Sequence, residues 1–353
     1  MAACFMAAGA SGATLDAGQT EVTDQGDTLQ CWAVAIASRL DLLASRAAGV
    51  PLKISARYLF YAKTRAEVII RLHAGKFEKH EEILCELCKP EAIYYEQGGV
   101  LADAVEAVTL EGAIPEAAYP GFPKEDEELF RDINRLFAEY DANPNLPRDE
   151  ASTRPRIEAI LDRHLGRPPA EFKVQGATYD ARSFAAKYLA NLHEANATEL
   201  NYWPGTKNEK TVEEAFDGHA FVNYWTGNQQ DIFKALEISL QNHEPTLISY
   251  WYIGEAHQRD RIGFRVNGLK PPRRLNWDAA DLLGHYVLAL RLKKGANGNI
   301  KAIYVKNTFG LTRKEGYGFH WLERDYFPLI SGVEISSHVQ DILLAKGILK
   351  QSQ

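Results

Sequence analysis

"DQGDTLQCWAVAIASRL", residues 24–40, changes character half-way. Asp24, Gly26 and Asp27 make a polar, turn-forming approach. From Cys31, the residues Val34, Ile36, Ala37, Leu40 and Leu43 describe a largely buried helix running to about Ala47. A cysteine therefore stands where a helix begins. Unsatisfied backbone N–H groups and the positive end of the helix dipole favour a thiolate there, so the pattern predicts a lowered thiol pKa. The same N–H groups can face a developing oxyanion. A buried structural thiol is the plain alternative at this junction.

The rest of the chain is compatible with catalysis. Its 353 residues can hold one large domain or two moderate ones. A net charge of -7 argues against a nucleic-acid surface, which needs concentrated Lys and Arg. No apolar run is long enough to cross a bilayer, so no membrane partner is expected. The opening "MAACFMAAGASGA" lacks a basic start and reads as a frayed N-terminal extension over residues 1–20, with a trimmed signal segment as the alternative. Cysteines at 4, 31, 85 and 88 are too few to staple a secreted scaffold, and "CELC" lacks the third and fourth ligands of a zinc site. Reducing conditions and a cytoplasmic location fit best, with a secreted bacterial protein as the alternative.

Two textures follow one another. Helices are expected at "SARYLFYAKTRAEVII", at "LADAVEAVTLEG" with Gly112 as its stop, and from near Glu125, and "DANPNLPRDE" reads as a linker. Further helical segments, including "ARSFAAKYLANLHEA", make residues 21–225 a mainly helical unit. Residues 226–353 open with one helix, "NQQDIFKALEISLQNH". The β-rich runs "PTLISYWYI", "HYVLALRL" and "KAIYVKNTF" come next, as in a mostly antiparallel sheet. A cleft between two such halves is a common home for a site.

Amide hydrolysis through cysteine needs a thiolate, an imidazole, a group that fixes the imidazole, and donors for the oxyanion. Gln25 and Gln30 both lie upstream of Cys31 and either amide could serve; Gln25, beyond a glycine turn, has more freedom to fold toward the same oxygen. His285 opens one strand and Asn307 ends the next, so in neighbouring antiparallel strands the amide can hold the imidazole. The plain alternatives are a satisfied strand-end histidine and a turn asparagine. His219, His243, His257 and His320 read as solvent-facing or satisfied, and helical metal-binding spacing is missing.

"VTDQGDTLQCW" resembles the signature of the papain-like cysteine peptidase family, in which Gln-Gly is followed after four residues by Cys-Trp. "GHYVLAL" resembles that family's histidine strand, and "IYVKNTFG" with "KEGYGFHWLERDYF" its asparagine strand and the glycine-containing strand beyond. "EQGGV" is similar to the glycine pair that lines the substrate cleft; "ISARYLFYAKTR" and "LEGAIPEAAYP" resemble flanking regions of bacterial papain-like enzymes and of the bleomycin hydrolase branch. The matching motifs run from 21 to about 327, with 121–225 matching poorly.

The resemblance implies a two-lobed α+β fold, a helical lobe plus an antiparallel, barrel-like β lobe, with a helical insertion at about 121–225. It implies Cys31 as nucleophile, His285 as general base and acid, Asn307 as orienter, and Gln25 with the Cys31 N–H as oxyanion hole. Gly98 and Gly99 would line the cleft, with Phe309 shielding the His–Asn contact in place of the usual tryptophan. The partner would be a peptide or protein, with no cofactor or metal. Thr28 stands where many members carry a disulfide cysteine, so that bond is not expected, and Gly284 replaces the common Asp or Asn before the histidine. The same parts serve isopeptide or amide hydrolysis, group transfer, and the aminopeptidase action of the bleomycin hydrolase branch, whose C-terminus enters the cleft. Here "DILLAKGILK" reads instead as a docked apolar segment. A papain-fold binding protein with an unused site is the alternative outside enzymology.

Overall fold

Helix α1, Cys31–Ala48, starts at the cysteine, as the pattern predicts, and is buried continuously from Cys31 to Ser45. It is the central rod of a computed structural model that describes residues 21–26, 28–75, 77, 80–82, 91–95, 98–121, 127–195, 198–202, 209–213, 222–258, 260–270, 283–310 and 318–350. Around α1 pack α2 (Ala56–Ala74) and α3 (Leu101–Glu111). Ser55 caps α2 through its hydroxyl on the Tyr58 N–H at 3.1 Å. Gly112 ends α3, and its N–H returns to the Val108 carbonyl. A short hairpin of β1 (His80–Glu82) and β2 (Glu91–Ile93) lies between α2 and α3 in sequence.

The expected charged helix is α4 (Glu127–Ala142), and α5 (Glu150–Leu165) follows the linker, capped by Asp149. Next come the hairpin β3 (Phe172–Val174) and β4 (Ala177–Tyr179), then α6 (Ala181–Tyr188) and the single turn α7 (Leu192–Ala195). Trp32, Phe60, Phe137 and Phe184 sit in the apolar core that these helices share.

Residues 121–225 are not wholly helical. Beyond the β3–β4 hairpin they contribute β5 (Thr198–Asn201), β6 (Glu209–Glu213) and β7 (Val222–Thr226) to the main sheet. Helix α8 (Gln229–Gln241), capped by Asn228, precedes β8 (Thr246–Tyr252) and the short β9 (His257–Gln258) and β10 (Arg261–Ile262). The long strand β11 (Leu283–Lys294), then β12 (Ile300–Lys306), β13 (Phe319–Glu323) and β14 (Ile330–Ile335), lead to α9 (Ser337–Ala345).

Among the described residues the sheet has ten strands in the order β6-β7-β5-β14-β8-β11-β12-β13-β10-β9. It corrects the expected antiparallel barrel. The β5–β7 and β10–β13 pairs are parallel, and the ends of the order do not join among the described residues. The architecture is a helical lobe against a mixed-sheet lobe.

Strand β11 reads as a near-continuous apolar run because both its faces are covered, as central strands require. Leu288 and Leu290 enter the helical core, whereas Val287 and Ala289 enter a second core with Trp225, Tyr250, Leu322 and Tyr326. Val339, Leu343 and Leu349, in and just after α9, are buried in that second core, so the C-terminal apolar segment is docked as expected. Between the lobes lies a polar seam. Asp41 of α1 accepts from the Ile54 N–H at 2.6 Å and lies 4.0 Å from the buried ammonium of Lys306. Among the described residues, no helix is long and apolar enough to cross a membrane.

Candidate active site

Cys31 is the first residue of α1 and is 7% exposed. Its thiol donates to the Gly284 carbonyl at 3.8 Å, and the Tyr286 N–H favours its thiolate from the other side of His285. The sulfur thus meets β11 on both flanks of His285. This is the free edge of the strand, since the ladder to β12 ends at Leu288 and Lys306.

His285 is buried, and its Nε2 lies 2.8 Å from Asn307 Oδ1. That same oxygen accepts the Thr308 N–H at 2.8 Å. A backbone N–H can only donate, so the Asn307 atom is the acceptor and Nε2 must carry the proton. In the neutral ring this leaves Nδ1 with the lone pair. Phe309 stacks on the imidazole, centroids 4.9 Å apart at 8°, and Tyr250 and Tyr252 approach it from other sides.

Gln25 bridges the lobes beside this pair. Its N–H donates to the Thr308 carbonyl at 2.8 Å, its amide donates to the Thr28 carbonyl at 2.7 Å, and its amide oxygen accepts from the Thr308 hydroxyl. Thr28, at the disulfide position, donates its hydroxyl to the Gln25 carbonyl. Gln30 is engaged elsewhere: its amide oxygen accepts from the Trp32 indole at 2.8 Å.

The glycine pair lies against the same wall. Gly98 has φ +128°, a conformation side chains resist. A Cβ on Gly99 would lie 2.7 Å from the Trp32 ring, so the loop sits flat on the indole that follows Cys31. All of the residues expected to act together therefore adjoin a single seam: Cys31, Gln25, His285, Asn307, Phe309, and the Gly98–Gly99 pair by way of Trp32.

The electrostatics correct one expectation. Burial pushes the Cys31 thiol up to about 11, while the backbone N–H groups of Tyr286, Trp32 and Cys31 pull it back. The helix start does favour the thiolate, but desolvation outweighs it. Burial also holds His285 down to about 4, against the Asn307 hydrogen bond, which raises it. In this closed geometry the two groups rest as thiol and neutral imidazole.

Sequence reasoning missed three contributors. Thr308 fixes both Asn307 and Gln25, with only its adjacency to Asn307 as a signal. Lys63 lies under the glycine loop, and its one signal was a charge in the apolar run "YLFYAK". His320 is not solvent-facing: it is 0% exposed, and among the described residues neither ring nitrogen has a hydrogen-bond partner. His243 is exposed and His257 buried, whereas Cys4, Cys85, Cys88 and His219 lie outside the described residues.

The fold is similar to that of a solved structure at low sequence identity. PepW from Lactobacillus rhamnosis superposes with a TM-score of 0.65 at 15% identity, over 94% of this chain and 84% of that one. Xylellain, a cysteine protease from Xylella fastidiosa, gives a TM-score of 0.41 at 14% identity over 90% and 82% of the two chains. No protein-family model and no curated protein matches the chain.

Proposed function

We propose that the protein is a cysteine peptidase. The observation that carries this reading is the meeting of the Cys31 sulfur with the main chain on both sides of His285, whose Nε2 is held by Asn307 at 2.8 Å. Cys31 is the nucleophile, His285 the base and acid, and Asn307 the orienter. Residues 21–225 bring the nucleophile and 226–353 the imidazole and its amide.

Since both groups rest neutral, the Cys31 proton passes to His285 Nδ1 as the sulfur attacks a peptide carbonyl. The new imidazolium keeps its Nε2–H on Asn307 Oδ1. The oxyanion forms where the Cys31 N–H and the second N–H of the Gln25 amide can reach it, the first amide hydrogen being held by Thr28. His285 returns the proton to the leaving amine, giving a thioester, and then takes a proton from the water that hydrolyses it. Phe309 and the two tyrosines keep bulk water from the imidazole–amide contact. An extended peptide pairs edge-on with the Gly98–Gly99 loop.

The test is turnover of a mixed peptide library with cleavage ends mapped by mass spectrometry, together with trapping of an acyl adduct on Cys31. Wild type should cleave, and Cys31→Ala and His285→Ala should each be inactive while folded. Full activity in either variant removes that residue from the mechanism.

A further inference from the structure

Lys63 stands in the buried face of α2, its side chain 5% exposed, between Phe60 and Thr64, which are also buried. Its ammonium donates to the Gly98 carbonyl at 3.0 Å and to the Tyr95 hydroxyl at 3.4 Å. It pairs with Glu67 at 2.7 Å and lies 4.0 Å from Asp103. It also lies 5.7 Å from the Trp32 ring centroid and 5.5 Å from that of Tyr95. Burial works against the charge, but Tyr95, Glu67 and Asp103 outweigh it, so the amine stays an ammonium above the ordinary lysine range. A buried lysine is costly unless paired. Here the pairing aims its third contact at one carbonyl of the cleft loop.

The direction of that carbonyl has a consequence. In a planar trans peptide the C=O of one residue and the N–H of the next point opposite ways. Lys63 draws the Gly98 carbonyl inward, toward α2, so the Gly99 N–H points away from the core. The Trp32 indole bounds Gly99 on one side, where an added Cβ would lie 2.7 Å from the ring. Asp103 steadies the other end of the loop by accepting the Val100 N–H at 2.9 Å.

We propose that Lys63 is a substrate-positioning residue: by clamping the Gly98 carbonyl it presents the Gly99 N–H as a donor to a main-chain carbonyl of an extended peptide. This rests on the peptidase reading for the identity of the ligand, so the experiment measures binding and does not depend on cleavage. Peptides lengthened one residue at a time, each with a fluorophore, are titrated by anisotropy onto Cys31→Ala and onto the same protein carrying Lys63→Met or Lys63→Arg. A matched series has single backbone carbonyls reduced to methylene.

Lys63→Met should weaken binding about tenfold, the worth of one hydrogen bond, and only for peptides long enough to reach Gly99. Lys63→Arg should restore most of it. Reducing one particular carbonyl should cost the parent protein the same factor and cost Lys63→Met nothing more. Should Lys63→Met fail to fold, Lys63→Met with Glu67→Gln removes the buried charge imbalance and is read in the same way. Equal affinities for parent and variant, an equal loss at every length and for every reduced peptide, or no peptide binding at all would each overturn the assignment. Absence of cleavage by the wild type, with the binding pattern intact, would overturn the peptidase reading alone.

Discussion

Replacing His320 by leucine tests how the buried imidazoles shape acid stability. His320 lies on β13 opposite Val305, fully buried, and burial holds it down to about 4 from an ordinary 6.5, with Asp260 pulling the other way. Because the folded value lies below the unfolded one, His320 costs nothing above pH 6.5. As pH falls from 6.5 to 4 the unfolded chain binds a proton that the folded chain refuses, and stability is lost. Between pH 7 and 4.5 this amounts to roughly 2 kcal/mol, at about 1.4 kcal/mol per unit. His285, held down to about 4, has the same sign, whereas Glu334, raised to about 8 by burial, has the opposite one: its cost near pH 7 is relieved on acidification. Both remain in the variant; Glu334 cancels in the difference, and His285 loses only the repulsion of a charged His320, which is secondary to its burial, so the difference reports mainly on His320. Leucine also removes two ring nitrogens that lack hydrogen-bond partners among the described residues, so the variant should be at least as stable near pH 7. Urea unfolding followed by tryptophan fluorescence at pH 7 and 4.5 should show the variant's advantage growing by roughly 2 kcal/mol at the lower pH. The same difference at both pH values would mean that the imidazole takes up its proton inside the fold, and the burial argument would fail.

Gln25→Ala should slow turnover by about 10²–10³, the effect of losing one oxyanion donor; an unchanged rate would end that assignment. The acid limb of kcat/KM should fall as pH drops through about 4, where His285 is protonated, and a limb near 6.5 would contradict its burial. Asn307→Ala removes the hydrogen bond that raises His285, so any residual activity should show that limb displaced further toward acid. Lys306→Met removes an ammonium 4.0 Å from the buried Asp41 carboxylate and should lower stability to unfolding, with part of the loss recovered when Asp41→Asn is added; no recovery would show that the two do not interact.

Much of the site was legible because its signals are local. A polar turn running into an apolar helix at Cys31 is written in consecutive residues, and the apolar run of β11 is long enough to announce a strand covered on both faces. The partners were not fixed in this way: spacing left Gln25 and Gln30 both open and gave His285 and Asn307 plain alternatives, and the family resemblance chose among them. The stretch β5 to β7 was not legible: these are short strands, and β5 joins the sheet through a parallel pair with β7 and an antiparallel pair with β14, far away in sequence. Strand β13 misleads even at close range. Alternation in "FHWLE" suggests that Phe319 and Trp321 face inward, yet pairing with β12 turns His320 and Leu322 to the core and leaves the two aromatics half-buried against Tyr304.

The sequence alone determined where a thiol would meet a helix end, since that depends on near neighbours and periodicity; it placed His285 and Asn307 at the ends of successive strands, and only the family resemblance singled them out as imidazole and orienter. Tertiary structure decided the mixed sheet, the inward turn of His320, the clamp of Lys63 on Gly98, and the net state of Cys31. These depend on how much water is excluded and which distant charges remain close, and desolvation is a property of the packed whole that no short stretch of chain contains.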